Sequence, residues 1–306
     1  MVEPDPDGHP AAQTPPPPAE RQAFPFLVLQ FFIFPMAIVA VCVTVFVVFG
    51  LIASEGRSAR EYVAEVRSGG ANRRWQAAFE LSKLLAARRD PALSDPSFVA
   101  DLVGLFDEAG GDDPRVRRYL ALALGRLGDR RAVPSLLKAV RQDASDLEAP
   151  PADAETQIYS IWSLGVIGDP STVPTLASLA RGEDAGVRKA AAHALGAFDT
   201  PEAREALLES LGDAAPDVRW NAALGLGRRG NLAAAPVLLQ MMDRDRLAAV
   251  PGLTDEQREQ AILGAVGVAA GLREPSLKSA LAALQAGDPS LKVREAARVA
   301  LEASQP

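Results

Sequence analysis

The sequence predicts an all-α protein: an α-solenoid of about six to seven helical pairs preceded by one transmembrane helix. Three observations carry this reading. A short pattern recurs at Val116–Gly125, Val187–Gly196 and Val218–Gly227. In each copy Val-Arg opens the stretch, small or apolar residues follow at the spacing of one helix face, and Leu-Gly or Leu-x-Gly closes it. The closing glycine reads as a helix terminator in the left-handed conformation. Residues 22–54 hold no charged side chain. Alternating Val/Ile/Thr runs are scarce, so strands are not expected.

Residues 1–21 are acidic and proline-rich, with Pro15-Pro16-Pro17-Pro18 at their centre. Little apolar surface is available to bury, so this segment reads as a disordered, partly polyproline tail. In residues 22–54 the run Phe26–Ile52 is nearly all Leu, Val, Ile, Phe and Ala. A bilayer needs about 20 such residues, so this segment reads as a transmembrane helix rather than a signal peptide. Ala37, Ala40 and Thr44 fall on one small-residue face, where a second membrane helix would pack closely. Arg21 precedes the span, whereas Arg57, Arg60, Arg67, Arg73 and Arg74 follow it. The positive-inside rule then puts the N-terminus outside and the solenoid in the cytoplasm of a single-pass, bacterial inner-membrane protein.

Residues 55–70 form the next unit. Tyr62, Val63 and Val66 share one side of a short amphipathic helix, with Arg57, Arg60 and Arg67 placed for lipid headgroups. Gly69-Gly70 reads as a flexible joint.

From residue 71 to 306 the pattern repeats about seven times. Its opening positions are Arg73, Val116, Thr156, Val187, Val218, near Gln257, and Val293. A second apolar helix follows each, and Pro134, Pro174 and Pro236 stand early in three of them, where proline costs no hydrogen bond. Asp113-Pro114, Thr200-Pro201 and Asp288-Pro289 read as caps followed by a first-turn proline, and Thr254 with Gln257 reads as a capping box. Insertions are expected at Asp143–Asp153 and Asp243–Leu253. One helical pair cannot bury its apolar face alone, so a run of pairs implies stacking.

The repeated Val-Arg-x-x-Ala-x-x-Ala-Leu-Gly resembles HEAT repeats, of the short kind found in phycobilisome lyases. The resemblance covers roughly Ala71 to Ser304. It implies that the motif arginine braces neighbouring repeats through a preceding aspartate. Carried onto this chain, Asp113 pairs with Arg117 and Asp184 with Arg188, while Arg219 and Arg294 hold the same place. Thr156-Gln157 lacks the arginine, and Glu302 replaces the closing glycine.

Little in the sequence points to chemistry. The only cysteine is Cys42, and the only histidines are His9 and His193, the latter expected to be packed or half-buried. No spacing matches a metal site and no cofactor is expected. The net charge is −7. Leaving out the four carboxylates and one arginine of residues 1–21 leaves 35 acidic against 31 basic residues. A broad phosphate-binding face is therefore not expected. The reading is a non-catalytic scaffold, or an accessory subunit of an integral membrane complex, that binds a protein partner and no small-molecule substrate. Trp75 and Trp220, which share one motif position, are its expected anchors. The alternatives are a bilin-lyase-like enzyme and a nucleic-acid-binding HEAT-like solenoid.

Overall fold

The computed structural model describes residues 33–53, 57–87, 90, 92, 95–111, 113–141 and 153–304, with side chains 49–53 left undescribed. These residues hold sixteen α-helices and no strand. The chain divides into two units, at Arg57 and Ser58.

The first unit contributes helix α1, Phe34–Ala53. It carries no charged residue, and its described side chains up to Val48 are all exposed. Ala37, Ala40 and Thr44 lie on this helix, with the Thr44 hydroxyl donating to the Ala40 carbonyl at 2.7 Å. Among the described residues no helix is long and apolar enough to cross a membrane. Residues 22–32, the first part of the expected span, lie outside them, as do the expected tail and the insertion at 143–152.

The second unit is a two-layer stack. One layer is α3 (Ala71–Ala87), α5 (Pro114–Leu127), α7 (Ala154–Ile167), α9 (Ala185–Leu195), α11 (Pro216–Arg228), α14 (Asp255–Ala269) and α16 (Leu291–Ala303). Each of these packs on the next. The other layer is α2 (Ala59–Ser68), α4 (Pro96–Glu108), α6 (Val133–Val140), α8 (Val173–Leu179), α10 (Pro201–Ser210), α12 (Ala235–Met241) and α15 (Pro275–Gly287). Helix α13 (Arg244–Ala248) is an extra turn between α12 and α14. Pairing α3 with α4 and continuing gives six complete pairs, with α2 before them and α16 after. The core is continuous and aliphatic, including Leu81, Leu120, Leu124, Ile161, Leu164 and Leu195, all fully buried.

Local signals explain where the helices start. Pro134, Pro174 and Pro236 stand in the first turns of α6, α8 and α12. Thr200 caps α10, and the capping box of Thr254 and Gln257 opens α14. The Asp288-Pro289 start is corrected: Ser290 caps α16, and Asp288 accepts from the Ser290 amide instead.

Residues 59–68 depart from the expectation of a membrane-surface linker. Ser58 caps α2, and Ala59, Val63 and Val66 are buried against α3 and α4, so the apolar side of this helix is already covered. Arg60 pairs with Asp95, and Arg74 donates to the Val66 carbonyl. Gly69 forms a tight corner rather than a loose joint, its amide donating to the Glu65 carbonyl at 2.8 Å. Helix α2 is the first helix of the array.

Candidate partner-binding surface

Neighbouring first-layer helices approach each other at the motif glycines. A Cβ on Gly125 would stand 2.8 Å from the Ser163 Cα, and one on Gly165 would stand 2.8 Å from Ala194. A Cβ on Gly196 or on Gly225 would stand 3.0–3.1 Å from the Cα of the other, and a Cβ on Gly227 would collide with Val268. These residues do not end helices in the left-handed conformation, as the sequence suggested. That role falls to Gly128 and Gly168, with φ of 74° and 70°, at the ends of α5 and α7. The motif glycine permits close helix packing, a need that only the neighbouring helix reveals.

The motif arginines hold loops. Arg188 Nη1 donates to the Gly182 and Glu183 carbonyls, and Arg219 Nη1 donates to those of Asp213 and Ala214, the same offsets in both repeats. Arg188 also clasps the Asp213 carboxylate of the following repeat with two hydrogen bonds, at 2.8 and 3.1 Å. Those bonds hold the Asp213 carboxyl below the usual carboxylate range. Asp184, its expected partner, caps α9 by accepting from the Val187 amide.

The other expected pair is also corrected. Asp113 caps α5 and pairs with Arg115 at 2.6 Å, while the Arg117 guanidinium lies 5.1 Å from the Phe106 ring. The inter-repeat link at this joint comes from Arg118, one position on, which pairs with Asp153 at 2.6 Å and with Glu155. Arg294 is half-buried beside Asp288, whose carboxylate takes two hydrogen bonds from Arg244, both at 2.7 Å. Burial pushes the Asp288 carboxyl up, and the Arg244 and Ser290 hydrogen bonds outweigh it, leaving it below its ordinary value. Asp113 and Asp184 each cap their own helix, and neither forms an ion pair with the motif arginine that follows it.

The expected anchors are less exposed than their register suggested. Trp75 is half-buried, with the Arg115 guanidinium 4.8 Å above its ring and Tyr119 at 6.4 Å. Its indole Nε1 is buried, with no hydrogen-bond partner among the described residues. Trp220 is half-buried against the core. His193 is exposed, with Nδ1 3.3 Å from Asn221 Oδ1.

The open surface lies elsewhere on the same helices, six residues after each opening position. Phe79, Leu122, Trp162, His193, Leu224, Leu263 and Val299 occupy that place in successive first-layer helices. Six of the seven are apolar and none is fully buried; Phe79 is 36% and Val299 50% exposed. The stripe ends in an open groove of about 620 Å³ between α14 and α16, floored by Leu263, Val266, Ala296 and Val299 and edged by Lys292 and Glu295. Its signal in the sequence is apolar character six residues after each opening position, not an aromatic residue at one of them. Among the described residues no group of three or more His, Cys, Asp or Glu side chains could hold a metal ion.

The HEAT repeats family matches residues 147–217 and 199–254, and the PBS lyase HEAT-like repeat family matches residues 116–142. The matched stretches carry HEAT-like repeats. No curated protein sequence matches the chain. The complex of CpcE and CpcF of phycocyanin lyase from Nostoc sp. PCC7120 is similar, at 18% identity and a TM-score of 0.53, covering 83% of this chain and 97% of that one. The archaeal HEAT-like repeats protein from Thermococcus onnurineus NA1 aligns at 16% identity and a TM-score of 0.45, covering 82% and 98% of the two chains. At 18% identity the likeness to the lyase complex is one of fold, an all-helical solenoid.

Proposed function

We propose that this chain is a membrane-anchored, non-catalytic scaffold or accessory subunit whose HEAT array binds a protein partner, most simply a subunit of an integral membrane complex. The observation that carries it is the apolar band of Leu263, Val266, Ala296 and the exposed Val299 in the open groove between α14 and α16, where the stripe ends. An exposed apolar band of this kind marks an interaction surface. The anchoring half of the proposal is supported by the uncharged run of residues 22–54. Topology follows from the arginines behind it, with the array in the cytoplasm and the N-terminus outside.

The experiment is a gentle-detergent pull-down of the full-length chain beside a variant whose residues 22–54 are replaced by an unrelated transmembrane helix. Recovery of one partner by both assigns recognition to the array. Recovery by the native form alone assigns it to the Ala37/Ala40/Thr44 helix. Failure of both to recover any protein removes the scaffold reading. A bilin-lyase-like activity is the second reading, supported by the match of residues 116–142. Its test is a spectral titration with a free tetrapyrrole.

A further inference from the structure

The aromatic side chains of the array are unevenly placed. Trp75, Phe79, Tyr119, Tyr159 and Trp162 all lie on the first-layer helices α3, α5 and α7, and none is fully buried. Beyond Trp162 the array has only Phe198, which is buried, and Trp220. Three of the five rings are in contact, and the other two follow in the same register. Tyr119 sits 5.1 Å from Phe79 and 6.4 Å from Trp75, and Tyr159 and Trp162 repeat on α7 the register of Tyr119 and Phe79. Two cations lie over these rings, Arg115 at 4.8 Å from Trp75 and Lys83 at 5.2 Å from Phe79. The carboxylates beside them are matched: Asp113 with Arg115, Glu80 with Lys83, and Asp153 and Glu155 with Arg118.

We infer that this face rests on the headgroup layer of a phospholipid bilayer, an inference that depends on the anchoring proposed above. Tyrosine and tryptophan favour that layer because one part of each ring is apolar and another is polar. Lysine and arginine stems lie along apolar surface while their charged ends stay in water. The patch is confined to the repeats that follow soonest in sequence on the uncharged segment: only residues 54–58 separate α1 from α2 along the chain. A protein-binding hot spot would use similar residue types, but nothing in that role would confine them to the repeats with the shortest tether.

The test uses the full-length chain in phosphatidylcholine vesicles, made with and without lipid brominated near the headgroup end of its acyl chains. Tryptophan emission is the readout, and flotation confirms that the chain stays with the vesicles. The chain has three tryptophans, two of them on this face, so the brominated vesicles should remove roughly two thirds of the emission. W220F should be quenched more completely, and the W75F/W162F double variant should keep its emission. If the wild-type chain floats without quenching, the inference fails and the anchoring stands. If it does not float, the anchoring fails and the inference falls with it.

Discussion

Gly196 and Gly225 face each other across α9 and α11 so closely that a Cβ on either would lie 3.0–3.1 Å from the Cα of the other. Gly165 is tighter still, with Ala194 backbone in the way at 2.8 Å. An alanine in an unobstructed helix gains roughly 0.5–1 kcal/mol over glycine, whereas overpacking a close contact costs about 1–3 kcal/mol. Gly165→Ala should therefore lower the thermal midpoint. Gly104→Ala, where nothing lies within 4 Å, should raise it. Melting curves followed by circular dichroism decide both signs.

The Asp288 carboxylate is 1% exposed and its partner Arg244 is 30% exposed. Removing one member of a fully buried pair costs about 3–5 kcal/mol; the partial exposure of Arg244 brings the expectation for Arg244→Ala to about 2 kcal/mol. Asp288→Asn, which strands a half-exposed cation, should cost less. Urea unfolding of the two variants measures the difference.

Acid should weaken the array in a defined window. Hydrogen bonds from Arg118, Arg188 and Arg244 hold Asp153, Asp213 and Asp288 below the ordinary carboxylate value, against the upward push of burial at Asp288. Such groups stabilise the fold fully above the unfolded value of about 3.9 and lose that contribution as the pH falls through their folded values. The urea midpoint should therefore hold steady from pH 8 to 5 and drop below about pH 4. Arg188→Ala and Arg244→Ala should each flatten that drop. An unchanged profile in both would mean that other carboxylates govern acid sensitivity.

Cys42 supplies a natural reporter, since it is the chain's only cysteine and lies on α1 with its side chain exposed. If α1 sits in a bilayer, a charged maleimide should label Cys42 only after the vesicles are dissolved in a denaturing detergent. Equal labelling of intact and dissolved vesicles would place the thiol in water. The reagent needs thiolate and solvent access, and the hydrocarbon layer provides neither.

The helices were legible in the sequence because their signals are local. Pro134, Pro174 and Pro236 mark helix starts, Thr254 and Gln257 close a capping box, and the recurring Val-Arg gives the period. What stayed hidden depends on a neighbour. The role of Gly165 is decided by Ala194 on the next helix, and the partner of Arg188 is Asp213 rather than the nearer Asp184, which its own helix had taken as a cap. The apolar side of α2 read as lipid-facing until α3 was seen to cover it. The stripe through Phe79, Trp162 and Val299 was present in the sequence, but only the stacked register shows that its members line up.

Joints between repeats differ in what fills them, and this bears on how the array bends. Where Gly196 meets Gly225 the contact is backbone on backbone, with no rotamers to exchange. Where Gly227 meets Val268 and Leu272, side-chain methyls fill the gap. Side-chain methyls yield more readily than backbone does, so a change in curvature is expected between α11 and α14 before one appears between α9 and α11.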